Sequence, residues 1–389
     1  MTGSIIVIGG GFAGVYAALA AARTAGDAAN VTLLSREPRL VMRPRLFEAE
    51  PETLHAELPA LLETTGVAFV QGEAETLDLP ARAIRLALGQ TLPFDRLVVA
   101  TGSVMRRPAI PGAEAAFSID TQAEAIAFDR RLATCAGRQG PTIPGPTIIV
   151  VGAGFTGVEL ALNLRDRLIH HAGPAVGERA RILLIDQARE VGPELGAGPR
   201  PAIEAALAAA RVDLRLDAQV SALSADEVRL ADGEVIAADA VVLCTGLHAA
   251  PFLRHLPGAR DALGRIRVDS HLAIPDAPGL FVAGDAAWAA TEPGHSTLMS
   301  CQHAMPLGKV AGENAARSLL GRELLDYAQP RYVTCLDLGR SGAVLTAGWD
   351  RQVQATGEEA KALKRQINTR LIYPPEGSRE EILRASIPA

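Results

Sequence analysis

The chain has 389 residues, room for two or three domains at roughly 100–200 residues each. Its 48% hydrophobic and 21% charged content is that of a soluble globular protein, and a net charge of −6 excludes the concentrated basic face that a nucleic-acid partner needs. Four scattered cysteines, Cys135, Cys244, Cys301 and Cys335, exclude a disulfide framework and a zinc ribbon, and the histidines show no metal-ligand spacing, so no metal is expected.

In chain order, Ser4–Ile8 is a β-branched apolar run followed at once by Gly9-Gly10-Gly11-Phe12-Ala13-Gly14 and an alanine-rich segment to Ala25. That order predicts strand, tight turn and helix, with a second strand at Val31–Leu34. Further strands are expected at Arg96–Ala100, Ala240–Cys244 and Leu280–Ala283, each stopping at a glycine-containing turn. The opening pattern recurs at Thr147–Val151, with Gly152-Ala-Gly154-Phe-Thr-Gly157, a helix through about His171 and a strand at Arg181–Asp186. Between the copies, Gly137–Pro146 reads as a turn-rich crossover. A helix starts near Cys301, and helix is again expected from Glu313 to about Leu320. Strand-like pieces follow at Arg331–Asp337 and Ala343–Ala347, then a helix over Gly357–Leu371 stopped by Pro374-Pro375.

A single glycine motif is weak evidence, but here each copy follows a strand and opens a helix. The first glycine allows the tight turn, the second lets a pyrophosphate approach the backbone, and the third lets helix pack on strand. The helix N-terminus then offers free amides and a positive dipole end to the phosphates. Two dinucleotide sites follow from the duplication. Asp186, closing the second strand of the second copy, is placed to accept bonds from ribose hydroxyls, so NADH is expected over NADPH. In the first copy the matching residue is Ser35, with Arg36 and Glu37 next; either Glu37 or Ser35 with backbone holds the ribose. The fold class is therefore α/β, with two Rossmann-like domains, the second inserted in the first, plus a C-terminal α+β domain. The boundaries read as 1–112 with 270–320, 113–269, and 321–389.

The two motifs, the Ala100-Thr101-Gly102 turn and Leu280-Phe-Val-Ala-Gly284-Asp285 together resemble the two-dinucleotide-binding flavoproteins of the pyridine nucleotide-disulfide oxidoreductase superfamily. The resemblance implies FAD in the first unit, NADH in the second, and Asp285 as a flavin ligand. It extends the cofactor-contacting set to Phe12, Ala13, Ser35, Arg36, Arg43, Ala74, Ala100, Thr101, Gly102, Gly246, Gly284, His303 and Ala304. No cysteine occurs in Glu37–Pro51, where the disulfide reductases carry their redox pair, so electrons must leave for a diffusible acceptor or another protein.

Three stretches are most similar to type II NADH dehydrogenases, the NADH:quinone oxidoreductases: Met42-Arg43-Pro-Arg-Leu-Phe47, Gly154-Phe-Thr-Gly-Val-Glu159, and Ser300-Cys301-Gln302-His303-Ala304. In that family the last stretch lies on a helix beneath the flavin ring and beside the quinone. The resemblance implies hydride transfer from nicotinamide to FAD, then electrons to a quinone-like acceptor. Alternatives are a ferredoxin-reductase-like enzyme with a protein acceptor, an NADH-sensing flavoprotein, and a sulfide:quinone reductase using Cys135 and Cys335. Glu159 orients the carboxamide, relays a proton, or merely complements its helix dipole. Gln302 is the candidate for the acceptor oxygen. Cys301 is either a thiol of lowered pKa at a helix start or a small apolar filler. His303 is a proton donor or a hydrogen-bonded structural residue.

The late helix places Ala360, Leu363, Ile367 and Leu371 on one face, with Lys361, Lys364, Arg365 and Arg370 elsewhere. That stripe suits an anionic membrane surface, its own protein, or a homodimer contact. No basic leader with a cleavage site opens the chain, and no apolar run reaches about 18 residues. A cytoplasmic protein is expected, with the inner face of the cell membrane as a peripheral site.

Overall fold

The computed structural model describes residues 2–137, 144–224 and 226–388, so the middle of the Gly137–Pro146 crossover lies outside the described residues. The chain opens with β1 (Gly3–Ile8), α1 (Phe12–Ala25), β2 (Ala29–Ser35), β3 (Ala68–Gln71) and β4 (Arg96–Val99). Next come β5 (Phe117–Ser118), α2 (Gln122–Ala136), β6 (Thr147–Val151), α3 (Phe155–Ala172) and β7 (Arg181–Ile185). β8 (Val212–Arg215), β9 (Ala240–Leu243) and β10 (Leu280–Val282) complete two five-stranded sheets.

Their strand orders match: β10-β4-β1-β2-β3 in the first sheet and β5-β9-β6-β7-β8 in the second, all paired in parallel. Parallel sheets carry helices on both faces, which is why their central strands are unbroken apolar runs. Ile5–Ile8, Ile148–Val150 and Ile182–Ile185 are buried along their whole length. In each sheet the motif strand lies between the strand that follows it and one that returns much later. The crevice at that switch point is where such sheets bind ligands. The two units are stitched by Ser103–Met105 pairing antiparallel with Leu247–Ala249.

The helix expected to start near Cys301 and the one expected from Glu313 to about Leu320 are a single α4 (Cys301–Leu319). It lies directly on α1. A Cβ at Gly308 would come 2.2 Å from the Ala13 carbonyl oxygen, and one at Gly312 would come 2.0 Å from that of Ala17. Pro306 sits inside α4 without breaking it. Its missing N–H would leave the Gln302 carbonyl open, and the Gln329 side-chain amide donates to that carbonyl at 3.1 Å.

The C-terminal lobe is an antiparallel sheet of β11 (Val333–Asp337), β12 (Ala343–Ala347) and β13 (Gln352–Thr356), with α5 (Gly357–Gln366) across it. Ile367–Leu371 continues α5 as a π-helical turn. The expected apolar stripe is corrected here. Leu371 is 52% exposed, whereas Lys364 and Asn368 are buried with Ala360, because the inward face runs Ala360, Lys364, Asn368 at four-residue steps. Among the described residues, no helix is long and apolar enough to cross a membrane.

Candidate functional site

The glycine motifs are duplicated in geometry as well as in sequence. Gly9 has φ +114°, and a Cβ there would lie 2.2 Å from the Ala100 carbonyl oxygen; Gly152 has φ +109° and the same distance to that of Cys244. A Cβ on Gly14 would fall 1.7 Å from Gly9 O, and on Gly157 1.8 Å from Gly152 O. Backbone cannot yield as a flexible side chain can, so only glycine fits. Gly102 and Gly246 close the neighbouring turns at φ +71° and +84°.

Around the first motif the residues fit FAD. A Cβ at Gly11 would meet nothing within 4 Å, so the N-terminus of α1 opens onto clear space there, with Phe12 half-buried beside it and Ala13 packed inward against Gly284 and Gly308. Ser35 ends β2 with its Oγ beside Gly10, while Arg36 is 71% exposed on its side chain and faces Glu73 at 3.9 Å. Glu37 is exposed. Asp285 follows Gly284, whose backbone passes against Ala13 and Ala304. The Asp285 carboxylate accepts from Ser103 Oγ at 2.6 Å with Arg43 at 3.8 Å, and burial pushes its pKa up. Arg43 is engaged elsewhere, in an ion pair with Asp120 and a 2.8 Å bond to Ser103 Oγ, so it buttresses Asp285 and ties the two units together. Ala74 opens a separate antiparallel strand, Ala74–Asp78. The turn and helix start that bracket this slot carry three buried polar atoms without a partner: Thr101 Oγ1, Gln302 Nε2 and His303 Nε2. Native interiors rarely leave such atoms open, and a ligand rich in ring nitrogens and carbonyls would satisfy them.

In the second unit Asp186 stands just past β7. Its carboxylate accepts from Ala153 N at 2.6 Å and Ala188 N at 2.8 Å. This fixes its carboxylate beside the glycine turn.

Glu159 is buried and paired across to the C-terminal lobe. It is 2% exposed, 2.8 Å from Lys364 Nζ, and accepts from Asp337 N at 2.9 Å. Burial raises its carboxyl to about 7 despite those two partners. Lys364 is raised above its ordinary value by the same pairing, so Glu159 is the member that takes a proton near neutrality. The ammonium lies 5.7 Å from the ring centres of both Phe47 and Phe155. Lys364 escaped the sequence reading because a lysine counts toward the polar face; its four-residue spacing from Ala360 was the available signal.

Burial also raises the Cys301 thiol, which accords with the filler reading of the two and not with a thiol of lowered pKa at a helix start. Gln302 Oε1 accepts from Val333 N at 3.4 Å, which joins α4 to the C-terminal sheet. His303 is 1% exposed, shares a 3.0 Å contact from Nδ1 with Ser300 Oγ, and is lowered to about 4 by burial beside Arg265 and Arg351. It is therefore neutral at pH 7. All four cysteines are described outside any disulfide. Cys135 Sγ faces Asp239 O at 3.7 Å and Cys335 Sγ faces Ala360 O at 3.5 Å, in different lobes. The described residues hold no group of three or more His, Cys, Asp or Glu arranged for a metal.

The chain is 42% identical over 393 residues to a NADH dehydrogenase-like protein of Mycobacterium tuberculosis, covering 99% of this chain and 98% of that one. It is 28% identical to a demethylphylloquinone reductase of Synechocystis, covering 88% and 86%. A sulfide:quinone oxidoreductase of Aquifex aeolicus, at 18% identity, superimposes with a TM-score of 0.76 over 99% of this chain and 92% of that one, which shows a shared fold. The family model for pyridine nucleotide-disulphide oxidoreductases matches residues 3–308. With its duplicated glycine turns, the chain belongs to the pyridine nucleotide-disulphide oxidoreductase family and is an FAD-dependent NADH oxidoreductase.

Proposed function

We propose that this chain takes a hydride from NADH onto FAD and passes the electron pair to a quinone-like acceptor. When bound, the flavin supplies two-electron redox chemistry, and the protein supplies orientation and electrostatics. Asp186 holds the adenine-side ribose of NADH and disfavours a 2′-phosphate. The amides opening α3 receive the pyrophosphate, and those opening α1 receive that of the flavin. The positive end of α4, at Cys301, stabilises negative charge on a reduced ring. The three lobes, 1–112 with 270–320, 113–269 and 321–389, divide this work into flavin, nucleotide and acceptor sides.

The observation that carries the acceptor assignment is the Glu159–Lys364 pair. Reducing a quinone to a quinol takes two protons with two electrons, whereas one-electron transfer to an iron–sulfur protein takes none. A buried carboxyl near 7, next to a cation that keeps its own proton, can supply and recover a proton at neutral pH. Gln302, whose Nε2 is buried and unpartnered, provides an amide for the acceptor's oxygen. The Synechocystis relative, named for a phylloquinone precursor, supports the same class of acceptor.

To test this, the holoenzyme is reduced anaerobically with NADH and mixed with menadione or with a plant-type ferredoxin. Flavin absorbance returns promptly with menadione, and more slowly in a Glu159→Gln variant. Prompt return with ferredoxin alone contradicts the reading in favour of a protein acceptor. A long-lived reduced complex with both contradicts it in favour of a sensor.

A further inference from the structure

The two glycine motifs differ in one respect. The N-terminus of α1 is open, but that of its counterpart in the second unit, α3, is already occupied by a side chain. Glu194 Oε1 accepts from Phe155 N at 3.2 Å, and lies 2.6 Å from where a Cβ on Gly154 would stand. That is where the second glycine of the motif otherwise leaves room for a pyrophosphate.

We infer that Glu194 is an internal competitor for the NADH pyrophosphate, a carboxylate that must swing out of the slot before the nucleotide can seat. This rests on reading the second unit as the NADH site. Three observations make the swing feasible. Glu194 is exposed, and among the described residues it has no cationic partner, so leaving costs one amide bond. Its main chain is held independently, because Arg351 Nη2 donates to Glu194 O at 3.2 Å and Leu195 beneath it is 4% exposed. The loop also turns at Gly192 and Gly196, with φ +48° and +80°, so the side chain can rotate while its backbone stays anchored. A negative charge at a helix N-terminus is favourable, and a pyrophosphate seeks the same amides. The guard is confined to the site whose ligand must come and go.

The test compares binding of ADP-ribose and of adenosine to the FAD-loaded protein, in wild type, Glu194→Gln and Glu194→Ala. The glutamine keeps an acceptor for Phe155 N but not the charge, and thermal unfolding without nucleotide checks that both variants fold. The expected result is ADP-ribose binding tighter by about three- to tenfold in both variants, with adenosine, which has no phosphate, unchanged. Equal or weaker ADP-ribose binding in Glu194→Gln overturns the competitor role and makes Glu194 a cap or a ligand contact. An equal gain for adenosine overturns it too, since the effect would then not concern the pyrophosphate. If wild type binds no ADP-ribose at all, the NADH-site reading itself fails, an outcome distinct from the other two.

Discussion

Replacing Lys364 with methionine destabilises the protein by about 3–5 kcal/mol in alkaline solution, the usual cost of leaving one member of a buried ion pair without its partner. The pH dependence is the signature. Glu159 has a pKa of about 7 in the folded wild type against 4.5 when free, because burial outweighs Lys364 and the Asp337 amide. Between those values the folded protein binds a proton that the unfolded chain has released, so this group's contribution to stability is largest below 4.5 and is lost as pH rises through 7. Without Lys364, which lowers the carboxyl's pKa, the loss shifts to higher pH. Near pH 6 the buried Glu159 of the variant is neutral, and the penalty shrinks. Urea unfolding at pH 6 and pH 9 measures the difference. Adding Glu159→Gln to Lys364→Met removes the pH dependence and restores most of the stability. A penalty independent of pH would show that the lysine matters only for its packing against Phe47 and Phe155.

The glycine substitutions give the second large effect, and it differs between the two units. In Gly157→Val the side chain meets the Gly152 carbonyl, where even a Cβ would be 1.8 Å away. The start of α3 must then move off the sheet, and the amides that receive the nucleotide move with it. Purified Gly157→Val retains its yellow colour but is no longer bleached by NADH. The matching change in the first unit, Gly14→Val, drives a Cβ to 1.7 Å from Gly9 O and yields protein without flavin. Visible spectra of the two preparations decide the matter. Flavin loss in Gly157→Val alone would mean that the units have been assigned in the wrong order, and loss in both would contradict the separation of the two sites.

The parts of this molecule that repeat were legible from the sequence. Strand, glycine turn and helix obey local rules, so both motifs, Asp186 and the Gly284-Asp285 return stand where their spacing put them. The sheet order is shared for the same reason. What escaped was long-range. Nothing near Glu159 in sequence announces that its partner is Lys364, because α5 reaches α3 only after the C-terminal lobe has folded back. Arg43 resembles a cofactor contact by position, yet Asp120 from the next unit engages it. The thiol of Cys301 was open to two readings because a helix start lowers a pKa while burial raises it, and only the packing decides which prevails. Glu194 gave no signal at all: it lies in the short 3-10 turn Pro193–Leu195 between Asp186 and the next helix, and its role arises from folding back onto Phe155 N.

The proposed reaction begins with NADH delivering its hydride to a flavin bound in the first unit. An anaerobic titration of the purified holoprotein, first with NADH and then on a fresh sample with NADPH, tests that most directly through the visible flavin spectrum. Stoichiometric bleaching by NADH and much weaker bleaching by NADPH are expected, since a carboxylate in the place proposed for Asp186 accepts from ribose hydroxyls and repels a 2′-phosphate. Bound flavin that neither nucleotide bleaches would contradict the account at its centre.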